Sequence, residues 1–332
     1  MDNNTKRLDN CDFIKTIMML IIVLYHSVAN PFSYQQKDWI YYFNEWLASF
    51  HNYTFLFVAG YVFYYLQVEC GKYSEFSYFI VRKVERLIIP ALFVAVCGWI
   101  PVRYFCFSDS LVDLIKRYIL VLDANHLWFL WMLFWVFVIF WPLSIFFREN
   151  DILGFCVVCL LFAGGGIFGF KVTKAFQLCT GMMYLSCFWL GYKARQKWLY
   201  LFERIPIFIY LTVNVVLYAM MISIDISTPV MHALRIAINF PLHMVSAVMM
   251  FLLVFKVFGS GDYKKFSFLS RYTYGVFLFH HPIMYLIVFV MGDWISIEIL
   301  MLLKFGISLC LSVVLVKIFD RYEDLQWPIG EF

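Results

Sequence analysis

The chain has 332 residues, of which 63% are hydrophobic and only 14% charged; soluble domains carry about 25% charge, so a pair of soluble domains is excluded. The low charge also excludes a disordered chain. A net charge of +4, with basic residues scattered between apolar runs, leaves no nucleic-acid footprint, so no nucleic-acid partner is expected.

What remains is an all-α integral membrane protein. A span needs roughly 20 mainly apolar residues. That rule predicts a bundle of about ten transmembrane helices, near 13–30, 46–67, 87–106, 126–147, 152–170, 177–193, 205–224, 232–257, 272–291 and 296–318. Pro31, Pro90, Pro142 and Pro206 mark span edges. Lys6 and Arg7 precede the first run, no small-residue cleavage site follows, and Lys15 interrupts it, which predicts an uncleaved signal anchor.

An ionisable group inside a span costs about 2.5–3.5 kcal/mol on insertion scales, so it faces a cavity or a partner. In the first span Asp12 and Lys15 stand three residues apart and can pair. Lys15 and His26 are eleven residues apart, which places them on one helix face but about 16 Å apart along the axis. A snorkelling lysine and a packing histidine are the structural alternatives for these two. His51 lies near the outer end of the second span. At the inner mouth of the third stand Arg82, Lys83 and Arg86; Arg82 and Arg86 are four apart and share a face in a regular helix. Guanidinium groups suit phosphates, although plain topology signalling explains such a cluster equally.

The segment 107–125 is a connector, in which Leu111 to Leu122 reads as an amphipathic surface helix with Lys116 and Arg117 on its polar side. His126 opens the fourth span. In the fifth, Cys156 and Cys159 read as small packing residues, and Gly165 and Gly169 suit close helix packing. The eighth carries His232, Arg235, Asn239, His243 and Ser246 on a stripe about 80° wide. It lines a polar cavity or makes interhelical hydrogen bonds. His280 and His281 precede Pro282 in the ninth span; Glu298 and Lys304 in the tenth point different ways, and Lys304 is without an assigned role.

Lysines and arginines alternate by side, with Lys72, Arg82, Lys83, Arg86, Lys193, Arg195, Lys197 and Arg204 on inner segments and Lys37, Arg103, Lys116 and Arg117 on outer ones. By the positive-inside rule both termini are cytoplasmic in a multi-pass plasma (inner) membrane protein. Nine cysteines in apolar runs make no disulfide framework, and no metal site is expected. With no repeat, linker or soluble appendage, residues 1–332 read as a single transmembrane domain.

Five segments carry a resemblance: DFIKTIMMLIIVLYHS, SFHNYTFLFVAGYVFYY, RKVERLIIP, HLWFLWML and YGVFLFHHPI. In that order, across nearly the whole chain, they resemble acyltransferase family 3, membrane proteins that O-acylate polysaccharides and other surface acceptors. Lys15 stands where many members have arginine, Ala59 where serine precedes the glycine, and Arg82-Lys83-Val84-Glu85-Arg86 where Arg-x-Arg is common. The resemblance implies acetyl-CoA, or another acyl-CoA, as donor substrate with no permanently bound cofactor. It also implies a catalytic role for the first-helix histidine, His26. On this reading the partners are acyl-CoA, a surface glycan or lipid-linked sugar, and the bilayer. Arg82, Lys83 and Arg86 hold the donor's phosphates, and the thioester reaches His26, the general base on an acceptor hydroxyl. An acetyl-histidine is the second route. Asp12 pairs with Lys15, while His51, His126, Arg235 and His280 orient His26 or stabilise the oxyanion. The alternatives are acylation of a small-molecule or lipid acceptor, and a transporter; the lack of an internal repeat counts against transport.

Overall fold

The structure, a computed structural model, describes residues 8–29, 39–122, 124–171, 175–225, 227–258, 263, 267–292 and 294–331. Lys6, Arg7, Pro31 and Lys37 lie outside the described residues. Among those described there is helix and no strand. The helices are α1 (Asp9–Ala29), α2 (Trp39–Ala48), α3 (His51–Tyr64, continued by a π-turn at Tyr65–Glu69) and α4 (Phe76–Phe107). There follow α5 (Leu111–Ile119), α6 (Trp128–Glu149), α7 (Asp151–Lys171), α8 (Leu178–Arg204), α9 (Ile207–Ser223), α10 (Pro229–Val257), α11 (Thr273–Met291) and α12 (Ile297–Arg321).

By length and hydropathy seven of these helices can cross a membrane: α1, α4, α6, α7, α10, α11 and α12. The pair α8 and α9 qualifies jointly, as an eighth, across a bend of 95°. This is fewer than the ten the apolar runs suggest. The predicted second span falls in α3, whose ends carry His51, Asn52, Gln67 and Glu69 and so lower its hydropathy. The predicted sixth and seventh spans form the bent pair, broken at Ile205–Pro206, where proline cannot continue the helix.

At the centre, α1 packs on α3, α11 and α12, and α3 packs on α8 and α10. The α3–α8 contact is set by two reciprocal notches. A Cβ at Gly60 would collide with the Phe188 carbonyl, and one at Gly191 with the Phe57 carbonyl. Only glycine allows backbones this close. Gly165 likewise packs against the Cys179 carbonyl at the start of α8, the role the Gly165/Gly169 spacing suggests.

Ion pairs from Lys193, Arg195 and Lys197 tie α8 to its neighbours. Arg195 donates two bonds of 2.7 Å to the Glu69 carboxylate, joining two π-turns. Lys193, with a fully buried side chain, reaches Asp151 of α7 at 2.8 Å. Lys193 is therefore a packed ion-pair partner rather than a flanking surface charge. In α5, Leu114 and Tyr118 are buried one turn apart while Val112 and Ile115 face outward beside Lys116, an amphipathic pattern.

Candidate active site

His26, three residues from the end of α1, is the centre of a group of imidazoles. His281 stacks on it, with ring centroids 4.1 Å apart and planes at 27°. His280 lies at 5.4 Å and His126 at 6.4 Å. His51 completes the group through Tyr25, whose ring is 5.1 Å from His26 and 5.2 Å from His51. Four separate elements deliver these rings: α1, the first residue of α3, the turn before α6, and the middle of α11.

Backbone carbonyls fix most of the tautomers. A carbonyl can only accept, so the ring nitrogen facing it carries the hydrogen. His51 donates from Nδ1 to the Leu47 carbonyl at 2.7 Å, and His280 donates from Nδ1 to the Val276 and Phe277 carbonyls, each at 2.9 Å. His126 donates from Nε2 to the Leu278 carbonyl at 3.1 Å. That last acceptor has a local cause. Leu278 lies four residues before Pro282, and proline has no N–H to bond it, so its carbonyl is free for His126. Asn125, at φ +47°, bends the chain so that His126 points inward. The opposite nitrogens, Nδ1 of His126 and Nε2 of His280, are buried without a hydrogen-bond partner, as is His26 Nδ1. The lone pairs of His126 Nδ1 and His280 Nε2 are available to a hydroxyl that enters the group.

A cavity of about 410 Å³, which none of these histidines lines, meets the group at Phe277. Asp12, Lys15, Lys83, Arg86, Arg271 and Glu331 supply its charged lining, while Phe55, Phe129, Phe137 and Phe277 supply aromatic walls. Phe277 belongs to both regions, for its ring is 5.3 Å from His126 and 6.1 Å from His280. Lys15 reaches Asp12 at 3.4 Å, as the three-residue spacing suggests. Lys83 sits over the Phe137 ring at 3.9 Å, with Tyr73 and Phe79 at 5.1 and 5.2 Å. These three rings hold its ammonium at the cavity wall by cation–π attraction.

Arg82 is not among the cavity residues; it turns to Glu85 at 2.8 Å. The α4 helix runs as a π-turn over Val84–Ile88, which breaks the i,i+4 relation that puts Arg82 and Arg86 on one face. Lys83 and Arg86 face the cavity instead. Arg235 is also apart from the histidines, within electrostatic range of Glu45 on α2. Burial raises the Glu45 carboxyl above its ordinary range, and the Arg235 charge opposes that rise.

His243 and Ser246 of the α10 stripe are spent on contacts between helices. His243 stacks on Tyr53 at 3.6 Å. Trp46 Nε1 donates to Asn214 at 2.9 Å, and Asn214 donates to Ser246 at 2.7 Å. Three further residues join the site. His281, Trp99 (centroid 5.0 Å from His281) and buried Lys304, within electrostatic range of both His26 and His281, sit among the imidazoles. Adjacent histidines diverge by about 100° on a helix, so periodicity favours one of His280 and His281 and misses that both reach His26. The intramembrane position of Lys304 is the signal that points to it.

Among the described residues no set of three histidine, cysteine, aspartate or glutamate side chains is placed to hold a metal ion. A family model described as an acyltransferase domain matches residues 8–321. A search of the curated proteins and a search of the solved structures each return no match.

Proposed function

This chain belongs to acyltransferase family 3, and from that premise we propose that it is a membrane O-acyltransferase moving an acetyl or short acyl group from acyl-CoA to a hydroxyl of a surface glycan or its sugar precursor. The observation that carries the reading is the juxtaposition of two regions. A histidine group centred on His26 packs on Phe277, and Phe277 also lines a cavity that carries Lys83 and Arg86.

Donor binding follows from charge. Lys15 is paired with Asp12 and Arg271 with Asp320, so Lys83 and Arg86 are the lining cations offered to a polyanionic head group. The apolar walls then suit the thin pantetheine arm, with the thioester carried towards Phe277 and the histidines. Read with the cytoplasm on the side of the α1 N-terminus, this end opens where CoA esters are made.

At the histidines, the imidazole of His26 takes the proton of the acceptor hydroxyl as its oxygen attacks the thioester carbonyl. A C–O bond forms, the C–S bond breaks, and the departing thiolate takes the proton back from the imidazolium. The products are an ester and a free thiol, and His26 is regenerated. Base assistance of this kind is worth roughly 10²–10⁴ in rate. His126 and His280, each anchored to a backbone carbonyl, keep a fixed lone pair towards the group and so orient the incoming hydroxyl.

The test is the O-acetyl content of surface glycans by NMR, in a deletion strain complemented with wild type or with His26→Ala at matched membrane levels. Restoration by wild type alone is expected. Restoration by both moves the base elsewhere, and restoration by neither sinks the glycan acceptor.

A further inference from the structure

The ring of His281 touches the proposed base more closely than any other histidine does, yet it does so with its face. The 4.1 Å, 27° stack leaves its nitrogens directed away from His26, and both are buried without a hydrogen-bond partner. Its orientation is fixed by rings rather than by hydrogen bonds. Trp99 meets it edge-on at 5.0 Å and 86°, and Tyr285 at 5.4 Å and 67°. A histidine held this way offers its neighbour an aromatic surface, not a proton acceptor.

We propose that His281 is a positioning residue whose aromatic face stabilises the imidazolium formed when His26 takes the acceptor's proton. The proposal rests on His26 being the base of acyl transfer. A cation over an aromatic face is stabilised most where the site is desolvated. The gain arises only after the proton has moved, so it lowers the barrier without strengthening donor or acceptor binding. The groups that face His26 from the surrounding elements are Tyr25 and His51, His126, His280, and Lys304 of α12. The Lys304 charge opposes an imidazolium at His26, so the stacked ring acts against that charge.

The experiment separates ring from nitrogen. Wild type, His26→Ala, His281→Phe and His281→Leu are purified in detergent and assayed for release of the free thiol from acetyl-CoA, with and without surface glycan isolated from the deletion strain as acceptor. Phe and Leu fill similar volume, but only Phe retains a π-face. His281→Leu is expected to lose about 10- to 30-fold in kcat with KM for acetyl-CoA unchanged, and His281→Phe to retain wild-type kcat within about threefold. A merely structural role predicts no such split, because both variants change the same packing. If His281→Leu equals wild type, the stack has no part in the reaction and the proposal is overturned. If Phe and Leu fall equally, a nitrogen of His281 carries the effect, which overturns it also. If His26→Ala retains activity while wild type is active, the base assignment itself fails; if wild type releases no thiol, the acyl-transfer reading fails.

Discussion

At the residue scale, three cations near the mouth of α4 differ in what they touch. Lys83 is held by Phe137, Tyr73 and Phe79, and Arg86 lines the cavity, whereas Arg82 is paired with Glu85 on the half-exposed side. A charged hydrogen bond to a phosphate is worth about 1.5–3 kcal/mol, while an exposed i,i+3 pair is worth about 0–1. Lys83→Gln or Arg86→Gln is therefore expected to raise KM for the acyl donor by about 10- to 100-fold, and Arg82→Gln by no more than about threefold. Steady-state kinetics with varied acyl-CoA check this, and equal effects at positions 82 and 86 would show that the π-turn does not separate them. That basic residues cluster here was legible in the sequence, but their division was not. The i,i+4 argument assumes an unbroken 3.6-residue period, and nothing in Val84-Glu85-Arg86-Leu87-Ile88 announces a π-turn. Arg235 escaped for a related reason: a stripe shows that residues share a face, not which neighbour that face meets.

Elements bring the histidines together through backbone features. In α11, Pro282 leaves the Leu278 carbonyl for His126. Pro282→Ala restores an N–H that competes for this carbonyl. The helix is expected to gain stability or hold it, since an interior proline costs about 3 kcal/mol, while acyl transfer falls about tenfold as His126 loses its anchor. Thermal midpoint and turnover measured on the same sample distinguish this from general damage, in which both fall. Between α3 and α8, Gly60→Ala is expected to destabilise by about 2–3 kcal/mol, because the obstacle is a carbonyl that cannot rotate aside. A midpoint unchanged from wild type would mean that the helices separate without cost. The helical class and most element positions were legible from apolar runs alone. The His126 anchor could have been read from Pro282, but only with knowledge that the turn before α6 lies beside α11.

For the whole molecule, the cavity's charged end lies at the α1 N-terminal side, with Asp12 and Lys15 on its wall, and the histidines lie deeper. In the proposed function that end faces the cytoplasm. In a background free of the nine native cysteines, Arg86→Cys is expected to react with a membrane-impermeant maleimide in inside-out vesicles and not in intact cells. The reverse pattern would place the donor mouth outside and remove acyl-CoA as the cytosolic source. Hydropathy served poorly at this scale. It weighs each helix by its own residues, so α3, which is apolar in the middle and polar at its ends, drops out although it packs at the centre of the bundle.

The reciprocal notches at Gly60 and Gly191 bear on how such a chain can change over generations. Most tight contacts can be relieved from the other side, by shrinking the side chain that obstructs. Here the obstruction at each glycine is the partner's main chain, which every amino acid shares, so no replacement at Phe188 or Phe57 makes room. Suppressors of Gly60→Ala selected for recovered function are therefore expected to be true revertants at position 60. The two glycines are then fixed independently and leave no trace of covariation with the residues they touch.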